Sequence, residues 1–117
     1  MYTVIYLFRV PKPNVAAFSR VQQEAGEIYK QYGALDDKTL APVSLEANYG
    51  CSGFSSVTEL REDEELFVGL SCFRNRTHHD EVMAKVNADA QIDALYTETL
   101  TLIDMSRVVR GEFEEVS

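Results

Sequence analysis

The residues best suited to chemistry in this chain lie together between positions 74 and 80, where the sequence reads RNRTHHD. This segment holds both histidines of the chain, His78 and His79, together with two arginines and Asp80. On a helix the side chains of adjacent residues diverge by about 100°, which is unsuited to holding one metal ion. No H-x-x-x-H pair or other ligand set occurs elsewhere, so the sequence predicts no metal site.

The same segment has two interpretations, both of which depend on its position at the start of a predicted helix. The free N–H groups and the positive end of a helix favour an anion, and Arg74 and Arg76 lie beside them in the sequence. Alternatively, Asp80 satisfies the helix end and Arg76 pairs with an acid of the acidic surface. The second interpretation is favoured, because structural ion pairs also produce such clusters.

Length and composition predict one domain that spans residues 1–117. The chain is 45% apolar, which is enough for a core, and its formal net charge of −8 repels nucleic acid and anionic membranes, so neither is a predicted partner. The first residues, MYTVIYLFRV, have no basic region before an apolar run of strand length, so we expect no signal peptide and a cytoplasmic protein. In that compartment Cys51 and Cys72 are expected to be free thiols.

The chain contains no motif for a cofactor or for a covalent catalyst. Gly50 and Gly53 lack the lysine that follows the glycines of a phosphate-binding loop, and no G-x-G-x-x-G occurs. The single histidine pair does not assemble into a Ser-His-Asp or Cys-His set. The sequence therefore predicts no bound cofactor.

The first half of the chain predicts a strand, a helix and an irregular sheet edge. Both alternating faces of Tyr2–Val10 are largely apolar, which is typical of a strand covered on two sides. Asn14 is placed to cap the following helix and Gly33 to end it. Gly26 inside that helix is less favourable than alanine by about 1 kcal/mol, and it either marks close packing against the sheet or is simply tolerated. Proline and glycine interrupt residues 35–60, which predict an irregular edge region.

The second half predicts a hairpin turn at Arg61–Glu65 and then a central strand. That strand, Leu66–Phe73, again has two faces of apolar or small residues. Thr77 and Asp80 resemble a capping box at the start of the next helix. The remaining predicted elements are a short helical piece, Asp89–Glu98, and a last strand, Met105–Val116.

This order of elements predicts an α+β, ferredoxin-like βαββαβ sandwich with an antiparallel sheet and the helices on one face. The helices cover only one face of such a sheet, whereas two predicted strands are apolar on both faces. The uncovered face would be an apolar patch too large for a typical soluble monomer. We therefore predict a homodimer in which two protomers pack sheet to sheet around a two-fold axis.

The segment Arg76–Asp89 carries the pattern R-x-H-x-D-x-V-x-x-K-V-x-x-D, and a second group of matching residues lies in the closing segment. The members of that group are Asp104, Arg107, Gly111 and Phe113. With these residues the chain resembles the YbaA-like proteins, an uncharacterised bacterial family with a domain of unknown function. The resemblance implies the dimeric α/β-barrel fold and implies no established activity. His79 stands where the family has what looks like an arginine, which weakens an anion site at that position.

Arg107 is a further candidate, because strand alternation places it on the same face as Val109 and Phe113. A charge on that face needs a partner or a ligand, and in a dimeric barrel the face lines the interior. A structural salt bridge is the favoured interpretation, because buried charges are normally paired.

Two functions are consistent with these observations. The first is binding of a small acidic or phenolic metabolite in a barrel or dimer cleft without transforming it. The second is a cofactor-independent enzyme of monooxygenase or isomerase type, in which His78 is the general base and Arg76 or Arg107 stabilises an anionic intermediate. The candidate ligand-binding residues are Arg74, Arg76, His78, Asp80 and Arg107.

Overall fold

An antiparallel sheet and three helices make up the fold of this computed structural model, which describes residues 1–117. The strands are β1 (Tyr2–Pro11), β2 (Asp36–Leu40), β3 (Glu64–Phe73) and β4 (Val109–Glu114). The helices are α1 (Val15–Gln31), α2 (Arg76–Asn87) and α3 (Ala90–Leu102). The strand order β2-β3-β1-β4, with every neighbouring pair antiparallel, is ferredoxin-like and confirms the predicted α+β fold. None of the helices has the combination of length and apolar character that crossing a lipid bilayer requires.

The core lies between one face of the sheet and the helices. β1 and β3 pair along their whole length, so their alternating side chains form continuous rows on each face. On the helix-facing rows Phe8 of β1 and Phe67 of β3 pack against Phe18 of α1, and the ring centroids of Phe8 and Phe18 are 5.1 Å apart. A second cluster joins the other end of the sheet to α2 through Tyr2, Val4, Phe73, Val82 and Val86.

The opposite face of the sheet is apolar and has no helix on it. It carries one row from each of β1 and β3, and these side chains are half-buried within the single chain: Ile5, Leu7, Val68 and Leu70. β4 adds Val109 and Phe113 to the same face, 51% and 57% exposed. The prediction that both central strands have two apolar faces is confirmed.

The two ends of α1 differ in how well the sequence predicted them. Gly33 follows the helix with a φ of 112°, a left-handed conformation that carries little penalty for glycine, as predicted. Asn14 precedes the helix but makes no capping hydrogen bond, so that prediction is wrong. Its side-chain amide instead donates to the carbonyl of Leu102 at 2.8 Å, which ties the start of α1 to the end of α3.

α2 begins two residues earlier than the predicted capping box requires. The Asn75 side-chain oxygen accepts a hydrogen bond from the His78 N–H at 2.8 Å, which makes Asn75 the N-cap. The predicted capping box of Thr77 and Asp80 is therefore wrong. Thr77 lies inside the first turn, and the Asp80 carboxylate contacts His79 Nδ1 at 2.9 Å.

The region between α1 and β3 contains one short edge strand and a long loop. Only Asp36–Leu40 pairs with β3, and residues 41–63 form irregular structure with one 3-10 turn at Phe54–Ser56. The predicted irregular edge is thus present. The predicted hairpin turn at Arg61–Glu65 is too long, because β3 already begins at Glu64, whose side chain is buried.

The C-terminal elements also differ from their predicted bounds. Asp89 caps α3 by accepting from the backbone N–H groups of Gln91 and Ile92, and this helix is longer than the predicted helical piece. The predicted strand Met105–Val116 is too long, since Met105–Arg107 forms a 3-10 turn. The Asp104 carboxylate accepts from the Ser106 N–H at 3.0 Å and favours the turn over an extended conformation.

The cap of α2 gives a direct test of this correction. We expect Asn75→Ala to lower the free energy of unfolding by about 1 kcal/mol, because the His78 N–H loses its acceptor. Thr77→Ala removes a side chain that caps nothing and is expected to change the free energy of unfolding by less than about 0.5 kcal/mol. Urea denaturation of both variants measures the difference. A larger loss for Thr77→Ala would restore the capping-box assignment.

Candidate functional site

His78 is held as a structural residue at the end of β3. Its side chain is buried, with 6% of the residue exposed, and its ring packs edge to face against Phe73. Its Nδ1 accepts a hydrogen bond from the Arg74 N–H at 3.0 Å. The ring does not line the cavity described below, so the structure gives no support to His78 as a general base.

The other residues of the predicted cluster do not converge on His78. Arg74 and Arg76 are exposed and form no ion pair within the chain, although Arg76 was expected to pair with a surface acid. Asp80 is exposed and bonded to His79. No group of three or more His, Cys, Asp or Glu side chains is placed to hold a metal ion. The free N-terminal groups of α2 are in part satisfied by Asn75.

Arg107 forms a structural ion pair at the opposite end of the sheet. Its guanidinium donates to both carboxylate oxygens of Glu64, at 2.9 Å to Oε1, and also to the Glu59 carbonyl. This hydrogen bonding holds the pKa of the Glu64 carboxyl below its usual range. Arg9 donates to the backbone carbonyls of Thr58 and Arg107, so the group fastens the loop before β3 to the sheet. The salt-bridge interpretation of Arg107 is the one that the structure shows.

A different part of the molecule contains a mainly apolar cavity. It lies between the helix-facing side of the sheet and helices α1 and α3 and has a volume of about 180 Å³. Most of its wall is apolar and includes Phe8, Val21, Ala25, Ile92, Leu95 and Met105. Its polar side chains include Tyr6, Gln22, Tyr29, Asp37, Ser71 and Thr99. An apolar cleft with a few convergent polar groups is typical of a small-molecule site. We call this space the interlayer cavity.

Asp37 is the ionisable acid of the interlayer cavity. It lies on β2 opposite Ser71 of β3, and the Ser71 hydroxyl donates to Asp37 Oδ2 at 2.5 Å. No lysine or arginine forms an ion pair with it, since Lys38 pairs with Asp36. Burial raises the pKa of the Asp37 carboxyl above its usual range, and the Ser71 hydrogen bond opposes this only in part.

Gly26 makes room for the Asp37 carboxylate. A Cβ atom at this position of α1 would lie 2.7 Å from Asp37 Oδ1, closer than real Cβ contacts allow. The close packing that the sequence left open for Gly26 is therefore present. Its partner is the carboxylate of the neighbouring strand, which enters the space between helix and sheet.

Tyr6 and Tyr29 line the inner part of the same cavity, whose third tyrosine is the exposed Tyr96. Burial, together with nearby Tyr6 and Asp37, raises the pKa of Tyr29 to about 12, so its hydroxyl keeps its proton at neutral pH. No hydrogen bond within the chain contributes to that shift. The Arg110 guanidinium lies over the Tyr6 ring, 5.4 Å from its centroid, and brings a positive charge to this end of the cavity.

A smaller cavity of about 20 Å³ adjoins the first one and shares Tyr6, Tyr29 and Ser71 with it. His79 lines this second space, although the sequence identified His78 as the more interesting histidine. The ring of His79 packs against Phe73 with centroids 4.9 Å apart. Its neighbour Tyr2 hydrogen-bonds Glu112.

Sequence reasoning did not find the residues of the interlayer cavity. The alternation of β3 placed Gly69 and Ser71 among apolar residues of the helix-facing row, which was the available signal. The sequence holds no such signal for Asp37. Its strand is short, and the preceding residue, Asp36, is also an aspartate. The glycine in α1 pointed to close packing but not to a carboxylate.

Comparison with known proteins gives a family and a fold. The model of a protein family of unknown function, DUF1428, matches residues 1–102. The chain belongs to this family. The predicted resemblance is thereby confirmed at the level of a family of unknown function, whereas the YbaA-like name stays a prediction. A search of curated proteins found no match.

Three solved structures illustrate the fold of this DUF1428 protein. An uncharacterised NIPSNAP domain protein from Burkholderia xenovorans is 14% identical, with a TM-score of 0.64 over 100% of this chain and 96% of that one. An antibiotic biosynthesis monooxygenase is 12% identical, with a TM-score of 0.62 over 100% of both chains. An Agrobacterium tumefaciens protein is 17% identical, with a TM-score of 0.60 over 99% of this chain and 94% of that one. At these identities the likeness establishes the fold, and function has to be argued from the site.

The contact between Gly26 and Asp37 is testable by a double-mutant cycle. In the wild-type protein we expect Gly26→Ala to leave the free energy of unfolding unchanged or lower, because displacing the carboxylate cancels a gain in helix propensity of about 1 kcal/mol. In an Asp37→Ala background the new methyl group has room, and the same change is expected to stabilise by about 1 kcal/mol. Urea denaturation of the four proteins gives the coupling energy, and a value of zero would contradict this packing.

Proposed function

We propose that this protein binds a small neutral phenol-like molecule in the interlayer cavity. The observation that carries the proposal is the combination of a mainly apolar wall with the convergent polar groups of Asp37, Ser71 and Tyr29. Small-molecule binding is also the function that the sequence predicts. The sequence places the site at the start of α2, whereas we propose the space between the sheet and the helices.

The size of the cavity limits the ligand to about one ring. Its volume of about 180 Å³ is slightly larger than the roughly 150 Å³ apolar cavity that is known to take benzene in another protein. A monocyclic compound with one or two small substituents fits that space. Exposed Tyr96 lies at the rim, which gives the ligand a route from solvent.

The polar groups favour a phenol over an acid. The Asp37 carboxylate accepts hydrogen bonds when ionised, and a phenolic O–H donates one, whereas a carboxylate ligand would add a second negative charge beside it. Arg110 supplies a positive charge near Tyr6, but it already pairs with Glu112 at 2.9 Å. Of the two ligand classes that the sequence predicts, acidic and phenolic, the site therefore favours the phenolic one.

Ligand binding is testable with simple ring compounds. We expect phenol to bind at least tenfold more tightly than toluene, because a hydrogen bond to a charged group contributes about 1.5–3 kcal/mol. Benzoate is expected to bind more weakly than phenol, owing to repulsion by Asp37. Calorimetric titration or ligand-observed NMR at neutral pH measures the three affinities.

A matched pair of variants places the binding site. Ala25→Leu fills the wall of the interlayer cavity and should abolish phenol binding, whereas Ala16→Leu adds the same side chain to an exposed position of α1 and should leave binding unchanged. Phenol binding that survives Ala25→Leu, or that fails to exceed toluene binding in the wild-type protein, would refute the proposal.

We also propose that the open sheet face, the side of the sheet without helices, packs against a second copy of this chain. This face carries the half-buried apolar rows of β1 and β3, and apolar residues of β2 and β4 extend it: Leu40, Val109 and Phe113. A two-fold contact of the same face on both protomers would bury these side chains, and the charged pair of Asp36 and Lys38 lies at its edge. This arrangement is the sheet-to-sheet homodimer that the sequence predicts.

The oligomeric state tests this second proposal. We expect light scattering of the wild-type protein to give about twice the 13.2 kDa chain mass. Phe113→Glu places a charge on the open sheet face and should give the monomer mass, because burying an unpaired charge is costly. Leu100→Glu changes an apolar residue of similar exposure on α3 and should leave the dimer intact. A wild-type monomer at micromolar concentration would contradict the proposal.

A further inference from the structure

Two ionisable side chains of the interlayer cavity have complementary roles in hydrogen bonding, one as an acceptor and one as a donor. Asp37 is a carboxylate without a cation partner, and Tyr29 is a phenol without a hydrogen-bond partner in the chain. We infer that the interlayer cavity catalyses proton transfer on a bound ring-sized ketone, with Asp37 as the general base and the Tyr29 hydroxyl as the donor to the enolate oxygen. This inference rests on the proposed binding of small ring compounds in the same cavity.

The surroundings of Asp37 suit a base. Its Oδ2 accepts from Ser71, which fixes the carboxylate, and the Asp37 side chain lines the interlayer cavity next to Ser71. No ion pair within the chain holds the carboxylate, and burial raises its pKa, while the Ser71 hydrogen bond and the charge of Lys30 oppose this only in part. A carboxylate with increased proton affinity is a better general base near neutral pH than one on the surface.

Tyr29 supplies the complementary donor. Its pKa of about 12 keeps the O–H protonated at neutral pH, so the group donates to a developing negative oxygen. Arg110 lies near the adjacent Tyr6 ring and adds positive potential to this end of the cavity. An aspartate base and a tyrosine donor in one apolar site are known to catalyse enolisation.

The proposed reaction requires neither an oxidant nor a cofactor. The carboxylate of Asp37 removes a proton from the carbon next to the carbonyl group, so a C–H bond breaks and a carboxylic O–H bond forms. The electron pair moves to the carbonyl oxygen, which accepts a hydrogen bond from Tyr29. Return of the proton to the same carbon, or to a conjugated carbon further along, regenerates Asp37. The net result is exchange or tautomerisation of the ketone.

Asp37 also reaches solvent on its outer side. It lines both the interlayer cavity and a neighbouring polar groove of about 310 Å³ between α1 and β2, and Gln22 lines the same two spaces. The groove is formed largely by polar side chains, including Ser19, Gln23, Glu27 and Lys30. A proton held by Asp37 therefore exchanges with water through this groove, so the base recovers between turnovers.

The substrate class follows from the chemistry of the cavity. The compound must be neutral, about one ring in size, and carry a carbonyl group beside an acidic C–H bond. Phenol is a planar enol with the shape of enolised cyclohexanone, so a cavity that binds phenol also accommodates the product of proton removal from that ketone.

Deuterium exchange of cyclohexanone tests the inference. In D₂O at neutral pD the wild-type protein is expected to accelerate loss of the α-proton NMR signal over buffer. Asp37→Asn should lower this rate about 100-fold or more, since general base catalysis contributes a factor of about 10² to 10⁴. Tyr29→Phe should lower it by about 10². Asp36→Asn, which changes an adjacent acid on the opposite face of the sheet, should exchange like the wild type.

The readouts separate catalysis from binding and from folding. The amide side chain introduced by Asp37→Asn still offers an oxygen acceptor to Ser71, so the melting temperature should stay close to the wild-type value. Phenol loses a charged acceptor and keeps a neutral one, so its affinity should fall by about tenfold, whereas exchange falls by about 100-fold or more. The wild-type exchange rate should rise with pH as Asp37 loses its proton. The midpoint of that rise should lie above the usual pKa range of an aspartate.

The combination of phenol binding and deuterium exchange decides between the two proposals. Phenol binding without exchange in the wild type would overturn proton transfer and leave the binding proposal standing. Absence of phenol binding would overturn both proposals. Exchange that persists in Asp37→Asn would remove Asp37 as the base.

Discussion

The close approach of α1 to β2 at Gly26 is the contact on which the candidate site depends. Because glycine has no side chain, the Asp37 carboxylate fits between the helix and the sheet. Ser71 then holds it at the wall of the cavity with a single strong hydrogen bond. Glycine stabilises a helix less than alanine does. At position 26 the missing side chain leaves the space that the Asp37 carboxylate occupies.

Most of the other polar side chains with prominent sequence signals stabilise the fold. His78 accepts a backbone hydrogen bond at the turn into α2, and Asn75 caps that helix. Arg107 and Arg9 fasten the loop before β3 through Glu64 and backbone carbonyls. A dense group of charged residues in a sequence is therefore compatible with a structural role, whereas the isolated acid on β2 lies in the cavity.

The fold followed from hydrophobic periodicity, because alternation in β1 and β3 and the stripe of α1 record which faces are buried. Local competition between caps was harder to predict. Thr77 and Asn75 are both good capping residues, and the backbone path into α2 decides between them. The apolar alternation of the last strand predicted that Arg107 belongs to it. In the structure Asp104 accepts from the Ser106 N–H, and Met105–Arg107 forms a turn before the strand. Asp37 was missed because its position depends on a contact with Gly26 that only the tertiary structure brings together.

The connection between β2 and β3 has a consequence for how the cavity wall is held. β2 pairs over only five positions, Asp36 to Leu40, and residues 41–63 separate it from the strand that it pairs with. Closing so long a loop costs more conformational entropy than a tight hairpin, and few ladder hydrogen bonds repay it. Local opening of the sheet is therefore less costly at the strand that carries Asp37 than between β1 and β3, which can stay paired while the cavity admits a molecule.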